Sequence, residues 1–240
     1  MSEVSARRKT SAQANAKDPA ASPPRDKPYH HGALPEALLQ AAESVLQRDG
    51  LRGLTLRAIA REAGVSHTAP QHHFGDTAGV LSELAATGHR RLAATMARDA
   101  IGIGPGKTRR KAIARGYVRF AVDYPDLFRL MSRNELLDQA RPSLIAAREL
   151  SMRSLAGVFD EDPAQTSGEA EVPVRPDAAQ TVAMTAAWAY VHGLALLLID
   201  GRLAWLAGST EGIHDAEQLV DAAIERMQIV PERDDPALGT

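Results

Sequence analysis

Cysteine is absent from this 240-residue sequence, aromatic residues make up only 4% of it, and its longest apolar run is interrupted. The lack of cysteine excludes a disulfide-stapled secreted domain. The apolar run covers residues 183–199 and contains Thr185, His192 and Gly193. A membrane span needs about 20 clean apolar residues, so this run predicts a buried helix and no membrane association. Residues 1–27 lack the apolar core of a secretory signal. We therefore expect a soluble, cytoplasmic protein.

The sequence does contain enough apolar residues, 44%, to bury a core, and its charge is unevenly distributed. At roughly 150 residues per domain, the length predicts one full-sized domain and a smaller one. Residues 1–75 carry ten Lys and Arg against seven Asp and Glu, whereas residues 76–240 carry 18 against 23. Residues 1–28 are basic and have a single aliphatic residue, Val4, which is too little to bury on folding. We predict a disordered basic tail there and a flexible tail at residues 230–240.

The spacing of the apolar residues predicts an all-α fold. From Leu34 to Met227 they recur every three or four positions, the period of helices that bury one face, and no convincing alternation of period two indicates a strand. Asp76 or Thr77 is expected to cap the long fourth helix. Residues 160–176 are acidic and interrupted by Pro and Gly, which indicates a linker. The predicted helices cover residues 34–49, 56–63, 67–73, 77–100, 113–124, 127–131, 142–159, 177–201 and 216–227.

The first three predicted helices have the arrangement of a helix-turn-helix motif with a supporting helix before it. Thr55 is suited to cap the second helix and Ser66 the third. Between them, Gly64 is suited to a left-handed conformation, with Val65 turned inward. The last helix of such a motif enters the major groove of DNA. The same pattern occurs in ordinary helical hairpins, but the basic N-terminal third of the chain favours nucleic-acid binding.

Two segments resemble a known family. Residues 29–81 begin Tyr29-His30-His31-Gly32 and continue through LTLRAIAREAGVSHTAPQHHFGDTAGVL; they resemble the DNA-binding domain of TetR-family transcriptional repressors. The segment Trp188-Ala-Tyr-Val-His192-Gly193-Leu resembles the effector domain of a TetR branch with a Trp-His-Gly signature. The resemblance implies a DNA-binding domain at 29–76 and a helical bundle at 77–229 that binds a small-molecule effector. It also implies a homodimer with a four-helix interface.

The resemblance, together with short polar side chains able to reach base edges or phosphates, gives a set of expected DNA contacts. Gln71 stands where this branch usually has a Tyr, and Thr77 where a Lys commonly follows Asp76. Both departures are expected to weaken phosphate binding, for which the basic tail would compensate by hypothesis. His73 is expected to pack beside Phe74 against the first two helices. The expected DNA-binding residues are Tyr29, His30, His31, Thr55, Arg57, Ser66, His67, Thr68, Gln71, His72 and Thr77.

Aromatic residues are concentrated in the second domain, where eight of the ten lie between residues 117 and 205. Trp188 and His192 are one helical turn apart, and a second aromatic face on the helix at 113–124 is placed to meet them. An apolar pocket with a few polar groups is typical of a small-molecule site; the alternative is that these residues only fill the core. The expected effector-binding residues are Tyr117, Phe120, Tyr124, Phe128, Trp188 and His192.

The helix at 177–201 is apolar on nearly all sides, and the last helix carries an apolar stripe. One subunit cannot easily bury both surfaces, so we expect a homodimer to cover them. Two recognition helices about 34 Å apart would then enter successive major grooves. This symmetry predicts a near-palindromic operator.

Metal binding and catalysis are not expected. His67 and His72 are five residues apart rather than the four of a helical zinc pair, and no cofactor motif is present. His192 with Asp200 or Glu149 would be an enzyme site by residue type alone, without a nucleophile elbow or phosphate loop. We therefore predict a repressor that binds double-stranded operator DNA and is released by a small molecule. The alternative is a constitutive regulator, or one controlled by a protein partner.

Overall fold

A computed structural model describes residues 33–156 and 178–227, and within these ranges it contains ten α-helices and no β-strand. The predicted all-α fold is therefore confirmed. The predicted tails and the whole of the predicted linker lie outside the described residues. The helices are α1 (Ala33–Gly53), α2 (Leu56–Glu62), α3 (Ala69–Phe74), α4 (Thr77–Asp99), α5 (Lys107–Asp123), α6 (Pro125–Met131), α7 (Pro142–Ala156), α8 (Ala178–Ile199), α9 (Ala204–Gly208) and α10 (Ala216–Glu225).

Helices α1 to α3 form a compact unit whose turns follow the predicted signals. Gly50 interrupts the end of α1 with φ 67°, as its position after Asp49 indicates. The hydroxyl of Thr55 caps α2 by accepting a hydrogen bond from the Ala58 amide at 3.1 Å. Gly64 has φ 66°, a conformation that side chains with a Cβ rarely adopt. This turn brings Val65 against the core.

The third helix begins later than the sequence predicts. It starts at Ala69 with Thr68 as its N-cap, rather than at His67 with Ser66 as its cap. Ser66 instead begins a turn, in which its carbonyl accepts a hydrogen bond from the Ala69 amide at 3.0 Å. Pro70 explains the shift, since proline is tolerated only in the first turn of a helix and therefore places the start close to it.

Helix α4 connects this unit to the rest of the chain. Asp76 caps it through a hydrogen bond from the Gly79 amide at 2.8 Å. Near its middle, the Arg91 guanidinium pairs with both carboxylate oxygens of Glu43 on α1. Helix α4 also packs along α5, α6 and α7, and its contacts with α6 and α7 already begin before Arg91. Helix α4 therefore joins the unit of α1 to α3, called the recognition unit below, to the helical bundle.

Helices α5, α8 and α10 complete the bundle. The apolar stripe of α10 packs within its own subunit, where Val220 and Ile224 are buried. Helix α10 lies against α5 and α8, while Ala216, Leu219 and Met227 of the stripe are only partly buried, so the burial of the rest of the stripe by a dimer partner stays a prediction. Ion pairs fix this position, because Lys111 and Arg115 on α5 each contact a carboxylate on α10 at 2.5 Å. The short helix α9 and a single 3-10 turn at Asn134–Leu136 were not predicted.

Helix α8 is the most apolar element and remains largely uncovered. Ala187, Val191 and Ala195 are buried along one face, which packs against α5. The opposite side exposes large apolar side chains, among them Val182 at 69% and Leu197 at 37%. The segment Thr181–Ile199 is long and apolar enough to cross a membrane, and only 17% of its window is buried. The prediction of a buried helix is therefore wrong within one subunit, because the apolar residues of α8 surround nearly its whole circumference and only one face meets the core.

Candidate nucleic-acid interface and ligand cavity

The polar side chains of the helix-turn-helix unit point to solvent. Among the predicted DNA contacts, Thr77 is half-buried, and Tyr29, His30 and His31 lie outside the described residues. The others are all exposed. They lie at the start of α2, in the turn between α2 and α3, and on α3: Thr55, Arg57, Ser66, His67, Thr68, Gln71 and His72. The structure therefore presents a contiguous polar surface of the kind that base edges and phosphates require.

Two local contacts shape this surface. The hydroxyls of Ser66 and Thr68 lie 3.0 Å apart, which holds both side chains at the start of α3. His73 was predicted to pack against α1 and α2, but it is exposed. Its ring lies tilted beside that of Phe74, with the centroids 6.3 Å apart. The residues of α3 that are buried in the core are Pro70 and Phe74. Among the described residues, no group of three or more His, Asp or Glu side chains could hold a metal ion.

The end of α3 is packed tightly on the first turn of α4. A Cβ added at Gly79 would lie 2.0 Å from the carbonyl oxygen of Phe74, so glycine permits this approach. Arg141, just before α7, reaches the same carbonyl at 3.4 Å and pairs with Glu83 on α4 at 2.7 Å. The loop before α7 also bonds to α4, because the Asp138 amide donates to the buried hydroxyl of Ser82 at 2.8 Å. The recognition helix therefore contacts both α4 and the start of α7.

A cavity of about 560 Å³ lies between α4, α5, α6, α7 and α8. This volume is within the roughly 300–1,000 Å³ typical of small-molecule sites. The wall is largely apolar, and a few polar side chains reach it. Its larger apolar lining residues are Leu92, Phe128, Met131, Met152, Leu155 and Trp188.

One polar cluster in the cavity joins α5 to α8. The Tyr117 hydroxyl accepts a hydrogen bond from the Trp188 indole N–H at 3.2 Å and lies 2.9 Å from Nδ1 of His192. Because indole only donates, the tyrosine proton is free to bond to His192. Burial lowers the pKa of His192 and raises the pKa of Tyr117 to about 12, so both groups are neutral near pH 7. The predicted meeting of Tyr117 with Trp188 and His192 therefore occurs, and Phe128 packs on His192 with centroids 5.2 Å apart.

A second polar cluster joins α4 to α7. Nδ1 of His89 lies 2.8 Å from the Ser151 hydroxyl, which also lies 3.0 Å from the Arg148 carbonyl oxygen. Nε2 of His89 is buried and has no hydrogen-bond partner among the described residues. Burial, reinforced by the nearby Arg148 charge, lowers the pKa of His89 to about 4. The cavity therefore contains a neutral imidazole with one unused polar atom.

Two predicted effector contacts do not line the cavity. Phe120 is fully buried in the core beside Phe128. Tyr124 lies at the junction with the recognition unit, where the Arg91 guanidinium sits 5.3 Å from its ring centroid. Both residues lie beyond Tyr117 along the direction of α5: Phe120 is about one turn further, and Tyr124 follows the end of the helix with non-helical φ −135° and ψ 58°.

The sequence analysis missed His89, Arg148 and Ser151, which also line the cavity. A weak signal for His89 existed, since it falls on the buried stripe of α4 between Ala85 and Leu92, where an apolar residue is expected. No comparable signal marks Arg148, because an arginine on a half-polar helix is most often solvated.

Comparison with known proteins identifies both domains. Residues 38–84 match the model of bacterial regulatory proteins of the tetR family, and residues 111–227 match the tetracyclin repressor-like C-terminal domain. The chain belongs to the TetR family. It is therefore a DNA-binding transcriptional regulator of the helix-turn-helix type, with the C-terminal helical domain of that family. No curated protein matches the sequence.

Solved structures extend the likeness over most of the chain. A protein of unknown function from Rhodococcus sp. RHA1 is 35% identical, and the match covers 84% of this chain and 96% of that one at a TM-score of 0.62. The TetR regulator PfmR from Thermus thermophilus is 18% identical over 78% and 94%, with a TM-score of 0.51. FadR from Bacillus subtilis, solved with stearoyl-CoA, is 15% identical over 79% and 95%, with a TM-score of 0.54. The last two matches concern the fold alone.

Proposed function

We propose that this TetR-family regulator is a cytoplasmic repressor that occupies a near-palindromic operator and is released when a small molecule fills the cavity. The expected DNA-binding and effector-binding residues retain these roles in the proposal, except Phe120 and Tyr124, which do not reach the cavity. Whether the C-terminal domain belongs to the Trp-His-Gly branch stays a prediction.

The observation that carries the proposal is the position of the cavity relative to α4. His89 and Leu92 of α4 line the cavity, while Gly79 at the other end of the same helix contacts the recognition helix. A ligand that moves α4 must therefore move Phe74 and the exposed residues before it. A hundredfold loss of operator affinity requires only about 2.7 kcal/mol of differential ligand binding between the two states.

The exposed side of α8 supports a homodimer. A soluble protein rarely leaves a large contiguous apolar patch uncovered, and Val182 and Leu197 lie on such a side of α8. A Cβ added at Gly193 would meet no atom within 4 Å, which leaves room for a second helix to approach. A twofold dimer through α8 would present two recognition helices to one face of the DNA.

Ligand binding by this fold has a precedent, since FadR of Bacillus subtilis was solved in complex with stearoyl-CoA. That ligand combines a long apolar chain with polar groups, and the cavity likewise has a largely apolar wall with a few polar side chains. The likeness to FadR is too distant to transfer the ligand itself.

The experiment that tests this function is selection of bound genomic DNA fragments by the purified protein, with and without metabolite extract. The control is a variant with His67→Ala and Thr68→Ala. Both side chains are exposed, so their removal leaves the core unchanged. Enrichment of a near-palindromic fragment by the wild type only, lost on addition of extract, is the expected result. The fragment should then lower expression of a reporter gene. If no fragment is enriched over the variant, the operator proposal fails; if extract never releases DNA, a constitutive or protein-controlled regulator is favoured.

A further inference from the structure

We infer that the cavity binds an amphipathic carboxylate, whose anionic group contacts Arg148 and whose apolar body lies against Trp188 and Phe128. This inference rests on the proposed effector function and narrows the ligand to one chemical class. It depends on three features of the cavity: the one cation among its described lining residues, the unpaired nitrogen of His89, and the absence of carboxylates from the described lining.

The cation is Arg148 on α7, which lines the cavity and is half-buried. Its guanidinium donates to the side-chain oxygens of Gln139 at 2.5 Å and Asn134 at 2.8 Å. Both partners are neutral amides, and within residues 33–156 and 178–227 no carboxylate lies at ion-pair distance from Arg148. A guanidinium has five N–H donors and matches a carboxylate in a two-point contact, so it retains donors for an anion.

The second feature is which ring nitrogen of His89 carries the proton. The Ser151 hydroxyl lies within reach of both Nδ1 of His89 and the Arg148 carbonyl oxygen. A carbonyl oxygen only accepts, so the hydroxyl donates to the Arg148 carbonyl and Nδ1 of His89 donates to the hydroxyl. If the hydroxyl turns to donate to Nδ1 instead, the neutral imidazole carries its proton on Nε2. That nitrogen is the buried atom without a partner, and a carboxylate oxygen held by Arg148 is a suitable acceptor for it. A buried polar atom is costly unless it is paired, so the ligand supplies what the protein lacks there.

The third feature is charge. None of the described residues that line the cavity is Asp or Glu, so an anion meets no like charge and a cationic ligand meets no counter-charge. Near pH 7 the two lining histidines are neutral, because burial lowers the pKa of both. The rest of the wall is apolar and about 560 Å³ is available, which suits an alkyl or aromatic body.

The test uses three probes with the same apolar body, namely decanoate, 1-decanol and decylamine, each titrated below its aggregation threshold into the purified full-length protein by calorimetry. Decanoate is expected to bind at least about tenfold more tightly than decanol, as a charge-assisted hydrogen bond implies. Decylamine is expected to bind most weakly. Equal affinity for decanoate and decanol, or no binding of decanoate, would overturn the inference.

Variants of α7 locate the anion. Arg148→Gln is expected to remove the preference for decanoate while decanol affinity stays unchanged, and Arg148→Lys should retain part of it. The matched control is Arg153→Gln on the same helix, since the Arg153 side chain is 70% exposed and its ion pair within the described residues is with Glu149, at 3.8 Å. Thermal unfolding confirms that each variant is folded. If Arg148→Gln keeps the preference or Arg153→Gln removes it, the carboxylate does not lie on Arg148.

Operator release is measured separately, so that the two proposals can fail independently. If decanoate binds through Arg148 but leaves the protein on DNA, the ligand class stands and the release mechanism fails. If extract releases DNA while the probes show no preference for the anion, the regulator has an effector of another class and this inference fails.

Discussion

The replacement Gly79→Ala tests whether α4 positions the recognition helix. The added methyl group would lie 2.0 Å from the Phe74 carbonyl oxygen and 2.9 Å from the Arg141 guanidinium. Side-chain movement can relieve the second contact but not the first, which is with backbone. The end of α3 and the first turn of α4 must therefore separate by about 1 Å before the contact reaches 3.0 Å.

Forcing an extra methyl group into a packed site typically costs about 1–3 kcal/mol. If the chain relieves this strain by displacing α3, operator affinity falls by roughly 5- to 150-fold, the range that corresponds to those energies. Ala is a better helix former than Gly by about 1 kcal/mol, so the thermal stability of α4 should fall by less than the steric cost. Fluorescence anisotropy with the selected operator fragment measures the affinity, and calorimetry measures the unfolding.

The matched control is Gly104→Ala, in the loop between α4 and α5. A Cβ there meets no atom within 4 Å, and Gly104 does not have a positive φ. This variant should bind the operator like the wild type. If Gly79→Ala also binds with wild-type affinity, then contact with α4 does not set the position of the recognition helix, and the route proposed for release is refuted.

Three further predictions concern other parts of the molecule. His89→Gln should flatten the pH dependence of stability. The pKa of His89 is about 4 in the folded protein and 6.5 in the unfolded chain, so between these pH values the unfolded chain binds more protons and the free energy of unfolding rises with pH, by up to about 3 kcal/mol. Urea titrations from pH 4 to 7.5 measure this rise, and the control His72→Gln, at an exposed position, should leave the slope unchanged. Leu197→Glu on the uncovered side of α8 should convert a dimer to a monomer in sedimentation experiments. The control Val122→Glu on α5 should not, although that side chain is exposed to a similar extent, 39% against 37% for Leu197. A monomeric wild type would contradict the proposed interface. Removing residues 1–28 should weaken operator binding and reduce its salt dependence, and an unchanged salt slope would remove the proposed role of the tail.

The helix-turn-helix unit was predictable because its signals are local. A cap at Thr55 and a positive φ at Gly64 are set by the chemistry of one or two residues, and both are observed. The start of α3 differs from the predicted one because Ser66 and Thr68 are both good caps, and Pro70 is compatible only with the later of the two starts. His73 is exposed because the buried face of α3 is formed by Pro70 and Phe74, four positions apart, and His73 lies about 100° round the helix from Phe74.

The cavity was predictable only in part because it is formed by tertiary contacts. Trp188 and His192 are one turn apart on one helix, so their shared face follows from helical spacing alone. Which of the aromatic residues along α5 meets them depends on how far α5 is shifted along its axis relative to α8, and Tyr117 is the one that does so. Arg148 and His89 lie on different helices that are far apart in sequence. Their proximity depends on the packing of α4 along α7, which no periodicity reveals.

The contacts of α4 also restrict how a ligand in the cavity can act on DNA. Gly79 is packed on α3 and Arg91 is paired with Glu43 on α1, so this half of α4 is fastened to the recognition unit at both ends. No proline interrupts α4 between Gly79 and His89, which are ten positions and about 15 Å apart along the helix. A ligand that separates His89 from Ser151 on α7 must therefore rotate the whole recognition unit rather than bend α4. In a dimer, two such rotations would change the distance between recognition helices, to which the fixed repeat of DNA is sensitive.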